Sequence, residues 1–226
     1  MNETAARLTW GDLTLEGVLG LPTQALGIVV FAHGSGSGRF SPRNNFVARQ
    51  LQQGRMATLL IDLLSPGEAE DRRKVFDIDL LADRVLLAKA WLEQDNRTKG
   101  LGIGYFGAST GAGAALQAAA RDPLLIQAVV SRGGRPDLAE AYLPSVTAPT
   151  LLIVGGDDEP VIEMNRAAYR LLSCPKRLVI VPGATHLFEE PGTLEQVAEH
   201  ALIWFKQHIH PAQYDDAGAQ TKERPR

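Results

Sequence analysis

The chain has 226 residues, 23 of them basic and 26 acidic, which gives a formal net charge of −3. This near balance argues against a nucleic-acid-binding protein, which usually carries a strong basic excess. The hydrophobic fraction of 45% is ordinary for a globular chain, and the lone Cys174 excludes both an intramolecular disulfide and a multi-cysteine metal site. We therefore expect one domain over residues 1–210.

The two ends of the chain are polar. The first residues, MNETAARLTWGD, lack the charged and then apolar pattern of a secretory signal. No apolar run approaches the roughly 20 residues that span a bilayer. We therefore expect a cytoplasmic protein with no membrane partner, and we leave homodimerisation open. Residues 211–226 are mostly polar, and we expect them to form a disordered tail.

Strand patterns recur along the chain. Residues 13–20 alternate between apolar and polar side chains, which predicts a half-buried strand. Short, continuous apolar runs follow, and such runs are typical of parallel strands that are buried on both faces. They lie at 28–31, 57–61, 101–106, 128–131, 150–154 and 178–181.

Helical patterns alternate with these strands, at 44–53, 77–93, 110–121, 161–172 and 193–208. This alternation predicts an α/β fold with three layers, in which helices cover both faces of a mostly parallel sheet. Only about 18 residues separate the strand that ends near Ser131 from the strand that starts near Thr150. Because this stretch is too short for a helical cap, we expect no lid domain and therefore an open site.

A candidate nucleophile lies in Gly107-Ala108-Ser109-Thr110-Gly111, which reads G-x-S-x-G. The motif directly follows a predicted buried strand and directly precedes a helix rich in small residues. That is the strand–turn–helix setting of a nucleophile elbow. The alternative is that Ser109 only caps a glycine-rich helix, since serine is a preferred N-cap residue.

An activated serine needs a base and an acid that orients the base. His186 follows a predicted strand, whereas His200, His208 and His210 lie in or after the last helix, so we expect His186 to be the base. The acid should follow the preceding strand, and there we choose Asp158, with Asp157 as the alternative. The sequence therefore predicts a Ser109–His186–Asp158 triad.

An oxyanion intermediate also needs N–H donors. The segment His33-Gly34-Ser35-Gly36-Ser37-Gly38 follows the first buried strand, and its glycines allow the backbone to turn toward a bound carbonyl. We expect the backbone N–H groups of Ser35 and Thr110 to be the donors. The alternative, a flexible linker, is unusual between a buried strand and a helix of one domain.

Together, the segments HGSGSGRFSPRN, GASTG, IVGGDDEPVI and PGATH resemble the dienelactone hydrolase-like branch of the α/β-hydrolases, over residues 13–207. The resemblance implies the α/β-hydrolase fold, with Ser109, Asp158 and His186 as nucleophile, acid and base. Dienelactone hydrolases proper use cysteine at the elbow, so serine there favours a general esterase. Relatives with similar segments are sometimes joined to phosphoribosyltransferase domains, but no pyrophosphate loop of that kind occurs here.

Several further side chains are candidates for contact with substrate. His33, Arg39, Arg43 and Glu68 follow the first two buried strands, and Arg132 follows the strand after the elbow helix. The arginines could hold a carboxylate or phosphate of the substrate, and Arg39 is the best single candidate. The alternative is that these charges form surface ion pairs or are solvated.

The sequence thus predicts a serine hydrolase, similar to carboxylesterases and dienelactone hydrolases, that acts on small-molecule esters, lactones or related acyl bonds. We expect no cofactor and no metal. One alternative is a catalytically silent binding domain on the same fold. Another is a nucleotide-binding reductase, because Gly102, Gly104 and Gly107 match G-x-G-x-x-G, although the first two glycines fall inside a predicted strand.

Overall fold

The structure is a computed structural model, and it describes residues 2–124 and 126–210. Within these residues, eight strands form one sheet with the order β1-β2-β4-β3-β5-β6-β7-β8. The strands are β1 (Asn2–Trp10), β2 (Leu13–Leu21), β3 (Gly27–Ala32), β4 (Met56–Ile61), β5 (Ile103–Ala108), β6 (Ile126–Arg132), β7 (Thr150–Gly155) and β8 (Lys176–Val181). The predicted tail, residues 211–226, lies outside the described residues.

The sheet is mostly parallel, as predicted. Strands β4, β3, β5, β6, β7 and β8 pair in parallel, whereas β1 and β2 are antiparallel at one edge. Every residue of β3, β4, β5 and β7 is buried, which explains their continuous apolar runs. Strand β1 was not predicted, because it is an edge strand in which few side chains, such as Ala6 and Leu8, are buried.

Helices cover both faces of the sheet, so the predicted three-layer architecture is confirmed. Two helices, α1 (Pro42–Gln53) and α7 (Thr193–His208), pack on one face. The opposite face is covered by α4 (Ile78–Gln94), α5 (Thr110–Arg121) and α6 (Glu159–Leu171). Two short helices, α2 (Pro66–Ala69) and α3 (Arg72–Val75), connect β4 to α4.

The connections in the described residues contain no lid domain, as the short spacing predicts. Between β6 and β7 the chain forms a 3-10 segment (Pro136–Ser145) that packs against α5 and α6. Residues 2–124 and 126–210 also include no helix that combines the length and the apolar character needed to cross a membrane.

The strand order places the ends of several strands together. Strand β3 lies between β4 and β5. The chain therefore passes from β3 to β4 on one side and then crosses to β5 on the other side, which makes β3 the point where the strand order reverses. In open α/β sheets, ligands bind beyond the carboxyl ends of the strands at such a point. The loops that follow β3, β5, β6, β7 and β8 therefore share the edge of the sheet where a ligand is expected.

Candidate active site

Ser109 occupies a strained turn between β5 and α5. Its backbone has φ 51° and ψ −123°, a conformation that costs a residue with a side chain about 1–3 kcal/mol. The turn is held by hydrogen bonds from Ser109 N–H to Arg132 O (3.2 Å) and from Arg135 N–H to Ser109 O (3.0 Å). A side chain at Gly111 would collide with the backbone oxygens of Ala32 and His33, so the close approach of α5 to β3 requires glycine. Ser109 accepts no capping hydrogen bond through its side chain, which argues against the plain N-cap interpretation.

Asp158 and His186 are brought together by adjacent strands. Asp158 lies between β7 and α6, and its Oδ2 is 2.7 Å from His186 Nδ1. The carboxylate is well shielded, with 13% of its side chain exposed, whereas 38% of the His186 side chain is exposed. Because Nδ1 faces the carboxylate, Nε2 is the ring nitrogen left for another partner. Asp157, the alternative acid, is exposed and makes no hydrogen bond to His186 in the described residues.

A cavity of about 250 Å³ contains the serine and the histidine. Its walls include Ser109, His186 and the loop after β3. No hydrogen bond joins Ser109 Oγ to His186 in the described structure, and contacts of this kind often tighten only when substrate binds. The two groups therefore face the same space from adjoining loops, and the Asp158 carboxylate lies behind the imidazole.

The loop after β3 lies directly beside Ser109. A Cβ on Gly34 would come within 3.0 Å of Ser109 Cβ. The N–H of Ser35, one of the predicted oxyanion donors, donates to Thr110 Oγ1 at 2.9 Å. The N–H of Thr110, the other predicted donor, belongs to the first residue of α5 and so has no acceptor within that helix. Nothing in the sequence pattern indicates this hydrogen bond between the residues of the two predicted donors.

His33 holds two loops together. Leu63 N–H donates to His33 Nε2 at 3.0 Å, so the ring proton lies on Nδ1, which donates to Gly34 O at 2.9 Å. Both ring nitrogens are therefore engaged within the protein. His33 lines a second cavity, described below, but the structure gives its ring a structural role rather than the predicted contact with substrate.

The protonation of His33 predicts a dependence of stability on pH. Burial is the main effect on its pKa and lowers it below the ordinary value of 6.5, so the folded chain takes up this proton less readily than the unfolded chain. The contribution of His33 to stability is therefore complete above about pH 6.5 and is lost as the pH falls. We expect the decrease in Tm between pH 7.5 and pH 5.5 to be smaller in His33→Gln than in the wild type. The amide of Gln can donate and accept without titrating, and an equal decrease in the two proteins would contradict this role.

Arg39 and Glu68 do not line the cavity that contains Ser109. The Arg39 guanidinium forms an ion pair with Asp62, and the backbone N–H of Arg39 donates to Asp62 Oδ1 at 2.7 Å. Glu68 accepts from Ser65 N–H at 3.0 Å in a capping box at the start of α2, and it pairs with Arg84 at 2.9 Å. Both side chains are therefore occupied by neighbours, and the expectation that they contact substrate finds no support in the geometry.

Arg43 and Arg132, in contrast, line the cavity with Ser109 and His186. Arg132 ends β6 and is buried, whereas Arg43 lies in the first turn of α1 and pairs with Glu189 at 3.0 Å. Asn44, which the sequence analysis did not single out, also lines this cavity, and its Oδ1 accepts a weak hydrogen bond from Arg132 Nη2 at 3.4 Å.

The loop that carries His186 has a brace of its own. Glu190 accepts hydrogen bonds from Thr185 N–H at 3.1 Å and from Thr185 Oγ1 at 2.6 Å. These bonds close the loop around His186 and favour a single position for the imidazole. The brace was missed because Glu190 follows no recognisable motif and reads as a solvated loop acid.

Comparison with known proteins identifies the family. The family model described as "Dienelactone hydrolase family" matches residues 15–209. Two curated relatives, from Mycobacterium tuberculosis strains CDC 1551 and H37Rv, are 54% identical to this chain over 209 residues. They carry the provisional name of a phosphoribosyl transferase, and the match covers 92% of this chain but 47% of each relative. The chain thus spans about half the length of these curated relatives.

Solved structures confirm the fold. The crystal structure of a dienelactone hydrolase from Anabaena variabilis is 56% identical, with a TM-score of 0.90, and the match covers 92% of this chain and 99% of that one. Est1E from Butyrivibrio proteoclasticus, solved with ferulic acid bound, is 18% identical with a TM-score of 0.79, covering 90% of this chain and 99% of that one. At that identity the likeness concerns the fold alone, and it is the α/β-hydrolase fold expected from the sequence. The chain is therefore an α/β-hydrolase that belongs to the dienelactone hydrolase family.

Proposed function

We propose that this hydrolase uses Ser109 as a nucleophile to cleave small carboxylic esters, lactones or related acyl bonds. The observation that carries the proposal is the shared cavity of Ser109 and His186, with Asp158 Oδ2 at 2.7 Å from His186 Nδ1. A nucleophile, a base and an acid that orients the base are the parts that acyl transfer to serine requires.

In the proposed reaction, His186 Nε2 takes the proton of Ser109 as Oγ bonds to the acyl carbon. The tetrahedral intermediate then collapses, and the alcohol leaves with the proton from His186. Water, deprotonated by the same nitrogen, attacks the acyl-enzyme and releases the acid and free Ser109. Asp158 holds the proton on Nδ1, which leaves Nε2 free to accept, and it stabilises the imidazolium that forms in each half of the reaction.

The oxyanion of each intermediate is proposed to bind to the N–H groups of Thr110 and Ser35. The Thr110 N–H lies at the N-terminus of α5, where the helix dipole also favours negative charge. The Ser35 N–H donates to Thr110 Oγ1 in this structure, so it must turn or share its hydrogen bond when the oxyanion forms. Loss of one such donor typically costs about 100- to 1000-fold in rate.

Other functions have weaker support. The glycines of the G-x-G-x-x-G match lie within or just before β5 rather than between a strand and a helix, and Gly104 faces Phe205 and Ile209 of the packed core. The name of the mycobacterial relatives is not transferred, because the part of them that matches is the part that the hydrolase family model describes. We propose a cytoplasmic location for the enzyme.

Labelling with a fluorophosphonate probe tests the proposal, because only an activated serine reacts with it. We expect one modified peptide, which contains Ser109, and no modification of Ser109→Ala. The matched control is Ser131→Ala, since Ser131 is a buried serine on β6 whose hydroxyl has no hydrogen-bond partner in the described residues. This variant should label like the wild type. A folded wild-type protein that does not react would instead support the catalytically silent domain.

A further inference from the structure

Arg132 is a buried cation without an anionic partner. Its exposure is 7%, yet it forms no ion pair with a carboxylate in residues 2–124 and 126–210. Its Nε–H has no acceptor in the same residues, and its contact with Asn44 is weak. Burial, followed by repulsion from Arg43, lowers the pKa of Arg132 to about 10, so the guanidinium is still charged at neutral pH. A buried and unpaired charge is costly and marks a place where a ligand can supply the opposite charge.

The surroundings of Arg132 add positive charge instead of removing it. Arg43 shares the cavity, whereas its partner Glu189 does not line it and has 63% of its side chain exposed. The cavity also contains the first residues of α1, a helix of 12 residues with no acid in its first turn. The positive end of the helix dipole and the arginine of the first turn therefore point to an anion. Ser37 and Ser41 bring hydroxyl donors to the same wall.

A second cavity of about 320 Å³ adjoins the first and has the opposite character. The two cavities share Gly34, Ser35 and Ser37, the loop beside Ser109. Beyond this loop, its walls are mainly apolar side chains from the segment after β4 and from α2, α3 and α4. They are Leu64, Pro66, Ala69, Val75 and Leu81. Its charged residue, Asp62, is paired with Arg39. The volume lies within the range of small-molecule sites.

We propose that the substrate is a two-sided ester, with a carboxylate or phosphate group on one side of the scissile bond and a short apolar group on the other. The anionic group binds to Arg132 and Arg43, and the apolar group lies in the cavity beneath α2 and α3. The scissile carbonyl is then at the shared loop, next to Ser109. This inference rests on the proposed function and names the substrate class for the same site.

Two pairs of esters test the anionic side. One pair differs on the acyl side, para-nitrophenyl butyrate against para-nitrophenyl hemisuccinate, and the other on the alcohol side, phenyl butyrate against para-carboxyphenyl butyrate. We expect the charged member of one pair to have the higher kcat/KM. We expect Arg132→Gln to lower that value about 10- to 100-fold, mainly through KM, and to reduce the preference for the charged ester over its neutral partner. Arg43→Gln, at the rim, should act in the same direction and remains informative if Arg132→Gln does not fold.

The matched control is Arg135→Gln. Arg135 is three residues from Arg132, pairs with Asp137 at 2.7 Å and does not line the cavity, so the selectivity should be unchanged. Hydrolysis of the neutral esters with no preference for the charged member of either pair would overturn the anion-binding part of the proposal.

The apolar side is tested by chain length. For the preferred charged ester, each methylene added to the uncharged side should raise kcat/KM about fourfold until the cavity is filled. Ala69→Phe, which puts bulk into the cavity wall, should remove this gain, whereas Glu70→Phe, at the next position and outside the wall, should keep it. A decrease from the first added methylene in the wild type would overturn this side of the proposal.

A readout without catalysis separates this inference from the proposed function. We expect inorganic phosphate or succinate, added separately, to raise the Tm of the wild type and of Arg135→Gln, but not that of Arg132→Gln or Arg43→Gln. The anion with the larger effect identifies the group that the site prefers. Stabilisation without fluorophosphonate labelling would support the anion site and contradict the hydrolase. Fluorophosphonate labelling, with no stabilisation by either anion and no ester selectivity, would support the hydrolase and contradict the anion site.

Discussion

Replacing Ser109 with alanine is expected to lower kcat for ester hydrolysis about 10⁶-fold, the largest effect of any single change in this protein. In the proposed mechanism, no acyl-enzyme forms without Oγ, and His186 and Asp158 lose the group that they activate. The residual rate then comes from substrate binding and the oxyanion donors alone. Burst and steady-state kinetics with a para-nitrophenyl ester measure the loss, because the burst reports the acyl-enzyme directly.

The control for this variant addresses the fold. The alanine has the same strained backbone as Ser109, so we expect a Tm close to that of the wild type and an unchanged circular dichroism spectrum. Ser131→Ala should keep full activity. A folded Ser109→Ala protein with activity near that of the wild type would contradict Ser109 as the nucleophile.

The second largest effect is expected from Asp158→Asn, with a decrease in kcat of about 10⁴-fold. The Asn amide can donate to Nδ1 instead of accepting from it, which places the imidazole proton on Nε2. That nitrogen then cannot accept the proton of Ser109. Steady-state kcat and the rate of fluorophosphonate labelling should fall together, because both depend on the same base.

The adjacent aspartate offers a matched control. Asp157→Asn makes the same chemical change one residue earlier, at an exposed position whose N–H donates to Ala184 O at 2.9 Å. We expect its kcat to stay within about threefold of the wild-type value, as is usual for a surface change away from the site. A larger loss in Asp157→Asn than in Asp158→Asn would contradict the assignment of Asp158 as the acid and favour Asp157.

The central strands and the long helices could be predicted from the sequence. Burial on both faces requires a continuous apolar run in each central strand, and each long helix has enough residues to show a helical pattern. The run at 57–61 corresponds to β4 (Met56–Ile61), and the pattern at 193–208 corresponds to α7 (Thr193–His208). The short α2 and α3 have four residues each, too few for a helical period to show. Edge strand β1 was missed because it is held mainly by backbone pairing with β2.

For the candidate site, chain order predicted the contact of His186 with Asp158, since each follows a strand whose place in the sheet the fold determines. The partners of isolated charges could not be predicted in this way. Arg39, the favoured candidate for an anion contact, pairs with Asp62, whereas Arg132 is left without a carboxylate partner in the described residues. A lone charge carries no local signal of its partner, because the partner comes from a different strand or loop.

In the proposed mechanism, the φ angle of Ser109 makes catalysis depend on the rigidity of the whole domain. A strain of about 1–3 kcal/mol is a substantial part of the roughly 5–15 kcal/mol by which most domains are stable. The turn can keep this conformation only while the surrounding strands and α5 hold it from both sides. Changes that loosen the core far from the cavity should therefore weaken the reactivity of the hydroxyl before the domain unfolds.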